Sequence, residues 1–407
     1  MRLYNTATRT VEPFTVRDNT VSMYVCGVTP YDTTHVGHGF TYVMFDTLAR
    51  HLSHKGYDVR YVQNVTDIDD DILKRAARDG MAWDALGREQ TTVYLRDMAA
   101  LNVTTPELYV RATSEIPSMA KMARALLERD AAYERNGSVY YRVVSDPAFG
   151  HILTHLSYEE MLTTANANGN YPDDPNKEDP LDFVLWQAAK PGEPSWESPW
   201  GPGRPGWHIE CSALSLGYLG EQIDIHGGGS DLIFPHHSCE IAQSERYTGV
   251  APFARYWVHT AMVRQDGEKM SKSRGNMTFV RDVLRAHHPD ALRLYLLDHH
   301  YREVWEYQPA GPATMDEPAA RLREAATVSA GDSGAGPALD VTRQRERFFN
   351  ALDDDLQTSD AVALCREVAA AILQAAEEGA RVGAARGTLR EMAGVLGLWL
   401  DTSPARL

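Results

Sequence analysis

Apolar and polar positions along the chain switch between two periods, and the switches outline the fold. The run VSMYVCG (21–27) is almost continuously apolar and ends on glycine, as expected of a strand buried on both faces of a parallel sheet. After a loop at 28–38, TYVMFDTLARHLSHKG repeats its apolar residues at helical spacing and stops at Gly56. YDVRYVQNV (57–65) is a second β-rich run, followed by the acidic TDIDDD and a helix from about Ile72. Strand, helix, strand at this spacing predicts a right-handed βαβ unit and a doubly wound α/β sheet. From about 103 to 200 the alternation breaks. Helical stretches, a strand at SVYYRVV (138–144) and the turn-rich NANGNYPDDPNKEDP (166–180) read as an insertion between two halves of a nucleotide-binding fold. QIDIHGGGSD (222–231) resumes the pattern with a strand closed by three glycines, and YWVHTAMV (256–263) is another strand. SAGDSGAGPA (329–338) reads as a linker, and the apolar spacing over 339–400 suits about three helices, a small bundle. The expected division is a catalytic domain over 1–310, a connecting segment and linker over 311–338, and a helical domain over 339–407.

Composition narrows the function classes. A chain of 407 residues, 43% apolar and 24% charged, can bury a large core in two or three domains. No run of about 18 apolar residues predicts a membrane span. MRLYNTATRT lacks the apolar stretch of a secretory signal, and four cysteines do not make a disulfide framework, so cytoplasmic thiols are expected. The net charge of −16 gives no global attraction to phosphate backbones, although a local basic groove is compatible with it.

Two motifs then point to ATP. His35-Val36-Gly37-His38 follows a strand and opens a helix: glycine allows close backbone approach, the helix N-terminus favours phosphate, and imidazoles donate to its oxygens. Lys269-Met270-Ser271-Lys272-Ser273 lies in a later loop flanked by Gly267 and Gly275, where lysines can neutralise departing pyrophosphate. Alone, the first also fits a structural turn and the second a solvated surface loop. Together, in this order, they read as one ATP site.

These motifs resemble those of class I aminoacyl-tRNA synthetases. The resemblance narrows to the cysteine-specific branch through YVCGVTPYD, YVQNVTDIDDDILKRA, DPLDFVLWQAAKPGEPSW, GRPGWHIECSA, DIHGGGSDLIFPHH and KMSKSRGN, which cover most of residues 1–310. It implies a Rossmann-type class I catalytic domain with a connective insertion, cysteinyl-adenylate formation from ATP with Mg²⁺, and catalytic roles for His35, His38, Lys269 and Lys272. It also implies zinc on Cys26, Cys211, His236 and Glu240. Physically, soft thiolates with an imidazole and a carboxylate suit zinc, and His236 and Glu240 at i, i+4 share a helix face. A substrate thiolate could join such an ion, which would discriminate cysteine from serine without editing; a purely structural zinc is the alternative. Cys239, in HHSCE, could replace Glu240 as ligand, whereas Cys365 fits an apolar helix face. By the same matching, Gly37, Gly227, Gly228, Gly229, Asp231, Val263 and Lys272 belong to the ATP site, and Thr29, Trp207 and His226 to the cysteine site. Asp67, Asp69 and Asp70 match a family motif, either as loop caps or as a partner for the substrate ammonium.

The acceptor divides two readings. Transfer of cysteine to a small amine resembles the mycothiol-pathway ligase acting on glucosaminyl-inositol; transfer to a ribose hydroxyl resembles cysteinyl-tRNA synthetase. CGVTPYD, HVGHG, KMSKSRGN and HYREVWEY lean to the amine ligase, as does the expectation that DTSPARL leaves no room for a further anticodon-contacting domain. Glu240, IAQSE and DIHGGG lean to the synthetase. The amine ligase is the preferred reading. A catalytically inert binding paralogue is the third, and intact HVGH and KMSKS motifs speak against it.

Overall fold

The near-continuous apolar runs form one parallel sheet. The computed structural model describes residues 1–32, 34–270, 276–329 and 336–400. The sheet has five strands in the spatial order Ala254–Thr260, Ile223–Gly229, Thr20–Val28, Asp58–Val65 and Leu108–Arg111, all parallel. Thr20–Val28 lies in the middle, with Val21, Met23, Tyr24 and Val25 fully buried. The chain leaves it to one side for Asp58–Val65 and returns to its other side as Ile223–Gly229. Such a reversal opens a crevice beyond the carboxyl ends of the strands.

Helix α1 (Val36–His54) buries Phe40, Val43, Met44, Phe45, Leu48 and Leu52 against this sheet. Gly227 is required for that packing, because a Cβ there would overlap the Phe45 ring. Helix α2 (Asp70–Asp79) starts on Asp69, whose side chain accepts from the Ile72 N–H at 2.8 Å, and ends on Gly80 in the left-handed region (φ 64°). Helix α3 (Trp83–Ala100) follows and buries Tyr94, Asp97 and Met98.

Residues 132–205 form a separate four-stranded antiparallel sheet, Ala132–Arg135, Ser138–Tyr141, Phe183–Ala188 and Gly203–Pro205. Its core includes Leu126, Val139, Tyr141, Leu185 and Trp186. Leu108–Arg111, inside the stretch read as insertion, is instead the edge strand of the central sheet. The strand expected over 138–144 stops at Tyr141, because Val143–Ser145 turns as a 3₁₀ helix.

Four helices close the chain: Asp316–Thr327, Thr342–Asp353, Thr358–Glu377 and Gly383–Val395. The first lies in the segment read as a connection, and its buried Ala319, Leu322, Ala325 and Ala326 repeat at helical spacing. Cys365 is fully buried in this bundle. One apolar cluster runs from Leu3 through α1 to Leu400, so the bundle packs directly on the catalytic fold. Among the described residues no helix is long and apolar enough to cross a membrane.

Candidate active site and metal centre

Four elements bring four side chains that could hold a metal ion to one point below the crevice. Cys26 closes the middle strand, and Cys211 lies in the first turns of the helix Trp207–Leu219. His236 comes from the tight segment Ile233–His237, where Phe234 adopts extended dihedrals (φ −141°, ψ 132°) and kinks the chain. Glu240 opens the helix Ser238–Thr248. Their ligand atoms lie within 4.8 Å of one another and all four residues are buried. Cys26 Sγ stands 3.6 Å from Cys211 Sγ and 3.5 Å from Glu240 Oε1, and His236 Nε2 is 3.2 Å from the same oxygen.

Burial pushes the Cys26 thiol and the Glu240 carboxyl well up and the His236 imidazole well down. Without a cation, burial keeps Cys26 and Glu240 protonated beside a neutral His236; a cation among them would favour the thiolate and the carboxylate. The donor set of two thiols, one imidazole and one carboxylate fits zinc. Cys239 is in neither group of converging donors; it is buried with the core of the antiparallel sheet.

A second layer orients the first. His226 Nε2 is 2.8 Å from Glu240 Oε2, and His208 Nδ1 is 2.9 Å from His236 Nδ1. The Trp207 ring stacks on His236 at 4.3 Å. His237 places Nε2 3.3 Å from Cys26 Sγ, with its Nδ1 2.7 Å from His259 Nε2, and His259 Nδ1 reaches Thr6 Oγ1 at 2.8 Å. Cys26, His226, His237 and Glu240 thus form an alternative converging group. The sequence reading missed His208, His237, His259 and Thr6. His208 and His237 had a signal in their adjacency to Trp207 and His236; Thr6, about 250 residues from its partner, had none.

Above this centre lies a cavity of about 760 Å³. Cys26, Thr29, His35, Gly37, His38, Trp207, Gly229, Asp231 and Val263 all line it. Gly227, Gly228 and His226 do not; the first two sit where a Cβ would overlap Phe45 or crowd Leu232, and His226 is enclosed beneath Glu240. His35 caps α1, its Nδ1 accepting from the His38 N–H at 3.3 Å, and the two rings stack at 3.7 Å. Lys272 lies outside the described residues, and only the backbone of Lys269 is described, in the short strand Glu268–Lys269.

The acidic motif splits by role. Asp67 accepts from Arg111 Nε at 2.8 Å and from the Thr113 N–H and hydroxyl at 2.9 and 2.7 Å, which pins the edge strand. Asp69, Asp70 and Asp71 line the cavity, where burial pushes the Asp69 carboxyl up to about 6. Asp70 pairs with Arg204.

Comparisons with known proteins agree with this fold. The family model described as "tRNA synthetases class I (C) catalytic domain" matches residues 13–311, and the DALR domain model matches 347–401. A cysteine–tRNA ligase of Dehalococcoides mccartyi is 45% identical over 98% of this chain and 86% of its own length. An L-cysteine:1D-myo-inositol 2-amino-2-deoxy-alpha-D-glucopyranoside ligase of Frankia casuarinae is 48% identical over 89% of this chain and 76% of its own. Among solved structures, Mycobacterium tuberculosis methionyl-tRNA synthetase with methionyl-adenylate shares the fold, with a TM-score of 0.66 and 15% identity over 93% of this chain and 89% of that one.

Proposed function

The chain belongs to the cysteine-specific family of class I synthetases and is an ATP-dependent, adenylate-forming cysteine ligase, and from that premise we propose that its acceptor is the amine of a small amino sugar of the glucosaminyl-inositol type. The observation that carries the acceptor is the charge of the cavity. Among the described residues its wall presents six aspartates, Asp32, Asp69, Asp70, Asp71, Asp174 and Asp231, against three cations, Lys74, Lys177 and Arg204. Of these groups Arg204 is paired with Asp70 and Glu193, Lys74 lies 3.5 Å from Asp71, and Asp32 is paired with Arg75 at 2.8 Å, so the acidic excess rests on Asp69, Asp174 and Asp231. An acidic wall draws in an ammonium and repels a phosphate backbone. The 48% identity to the Frankia ligase supports the same choice.

In this reading a carboxylate oxygen of cysteine attacks the α-phosphorus of ATP, and pyrophosphate leaves with the bonding pair. His35 and His38, at the N-terminus of α1, donate to the phosphates, and Lys269 and Lys272 neutralise the charge that departs. Gly229 lets the nucleotide approach the strand end, Asp231 accepts from ribose hydroxyls, and Val263 borders the nucleotide. Thr29 and Trp207 border the cysteine. Cys26, Cys211, His236 and Glu240 would hold zinc, which when bound favours a thiolate ligand over a hydroxyl. The ammonium first gives one proton to a wall carboxylate; the neutral amine then attacks the adenylate carbonyl, the C–N bond forms as the C–O bond to phosphate breaks, and AMP leaves. The surplus proton on nitrogen passes to the carboxylate-rich wall. On the acceptor side stand Asn168, Asn170 and Tyr171 with Lys177, whose ammonium donates to Asn170 Oδ1 at 2.5 Å. These groups suit a hydroxyl-rich ligand.

The second reading, charging of tRNA, is supported by 45% identity to a cysteine–tRNA ligase along nearly the whole chain. A direct acceptor screen separates the two. Pre-formed enzyme-bound cysteinyl-adenylate should yield an amide with glucosaminyl-inositol and little cysteinyl-tRNA; efficient tRNA charging without amide would select the second.

A further inference from the structure

The HVGH motif meets residues 278–280, downstream of the KMSKS sequence, at a short backbone junction. The Val36 N–H donates to the Thr278 carbonyl at 2.9 Å, and the Val280 N–H donates to the Thr34 carbonyl at 2.9 Å. His35 and Phe279 thereby form an isolated antiparallel bridge. The residue that caps α1 and stacks on His38 is thus tied to the chain just after the KMSKS sequence. Gly39 permits the approach: a Cβ there would stand 3.1 Å from Val280 Cγ2.

A carboxylate from a third element sits against this junction. Asp97, on α3, is completely buried, and neither of its oxygens makes a full hydrogen bond. Its nearest cation is Arg281, with Nη1 at 3.6 Å, and the Arg281 guanidinium lies over the Phe279 ring at 4.3 Å. Burial pushes the Asp97 carboxyl up, while the Thr34 hydroxyl and the Arg281 charge act against that push. Packing alone gives no reason for such a group. An apolar side chain of similar size would avoid the desolvation cost of a buried carboxylate with so few partners. What the position offers is reach. Asp97 reaches through Arg281 to Phe279, the bridge residue that pairs with His35.

We propose that Asp97 and Arg281 are positioning residues for adenylate formation, an ion pair from α3 that clamps the His35–Phe279 bridge and so sets the phosphate-binding imidazoles. Neither touches a reacting atom in this assignment. Both act through His35 and His38, where a misplacement of about 1 Å can cost about 10²-fold in rate.

The test is a double-mutant cycle on the full chain, read by single-turnover adenylate formation and by cysteine-dependent ATP–pyrophosphate exchange. Neither assay requires the acceptor, so the outcome is independent of the acceptor assignment. Asp97→Asn keeps the shape, and Arg281→Met removes the charge at a partly exposed position. Each single variant should slow adenylate formation by about 10- to 100-fold with KM for cysteine changed less than about twofold, and the double variant should be no slower than the worse single. Arg281→Lys should recover part of the rate. Single-variant effects that multiply in the double, an unchanged rate, or a loss that follows the fraction of unfolded protein measured by circular dichroism would each overturn the proposal.

Discussion

At the residue scale the site is built from groups that are unfavourable on their own terms, and each has an assignable partner. Glu240 is the clearest, a fully buried carboxylate held by His226 from beneath. Partners of this kind fix ligand orientation and typically contribute about 10- to 100-fold in metal affinity. His226→Gln should weaken zinc binding by about that factor in a chelator competition, with the fold retained; unaltered affinity would make His226 a packing residue. Asp69 supplies the pH dependence. Its folded pKa of about 6 lies above the ordinary carboxylate value, so the folded state resists its ionisation. That cost is fully present above pH 6 and is relieved as pH falls toward the unfolded value near 3.8. An ammonium ligand reverses the balance by favouring the charged form. Affinity for an ammonium-bearing ligand should therefore fall as pH drops through about 6, and Asp69→Asn should flatten that dependence. A wild-type titration already flat between pH 7 and 5 would remove Asp69 from the ammonium site. The four residues that would hold zinc stood out because they lie in dense motifs, whereas His226, read as part of the cysteine site, does not line the cavity and meets Glu240 instead. A histidine at a strand end looks the same whether its ring faces the cavity or the ligand beneath it.

At the element scale, the junction between catalytic fold and helical bundle turns on Arg293, in the helix Pro289–Leu297. It is almost wholly buried, pairs with Asp46 of α1, and donates to the Leu396 carbonyl at 2.5 Å and the Leu101 carbonyl at 2.6 Å. Asp46 also accepts from Arg50 Nε at 2.8 Å and the Thr104 N–H at 2.8 Å. One cation thus joins α1, the end of α3 and the last turn of the bundle. Removing one member of a buried pair costs about 3–5 kcal/mol where the other charge is stranded, and Arg50, which stays on Asp46, holds the loss to the lower end of that range. Arg293→Met should lower the unfolding free energy by about that amount in denaturant titration, and a loss under about 1 kcal/mol would show that water reaches Asp46 instead. This joint was not legible in the sequence. Arg293 sits in an unremarkable helical pattern, and its partners are 247, 192 and 103 residues away. The helix Asp316–Thr327 escaped for a related reason: four alanine and leucine positions carry its buried face, a weak apolar signal beside a glycine-rich linker. Four of the parallel strands were readable because β-branched and aromatic residues dominate them between turn residues, even where Arg60, Gln63 or Asp224 interrupts; the short, half-exposed Leu108–Arg111 was not.

At the scale of the whole molecule, electrostatics sets what can approach the adenylate. The chain carries a net charge of −16, and the described wall of its cavity has twice as many aspartates as lysines and arginines. A ligand that engages several phosphates releases counterions, so its binding loses about 10³–10⁵ in affinity between 50 and 200 mM salt. A small ammonium held by a carboxylate involves a single charge and has no condensed counterion layer to release. Turnover of the bound adenylate by its acceptor should therefore change by less than about tenfold over that salt range. The measurement is kcat/KM for the acceptor against ionic strength, with cysteine and ATP saturating, so that salt effects on activation cancel. The activation half-reaction, followed by pyrophosphate exchange, serves as the internal control. A steep loss confined to the transfer step would mean that the acceptor is a polyanion and that a basic surface outside the cavity captures it. A shallow dependence with rapid amide formation would identify the acidic wall as the element that admits the amine.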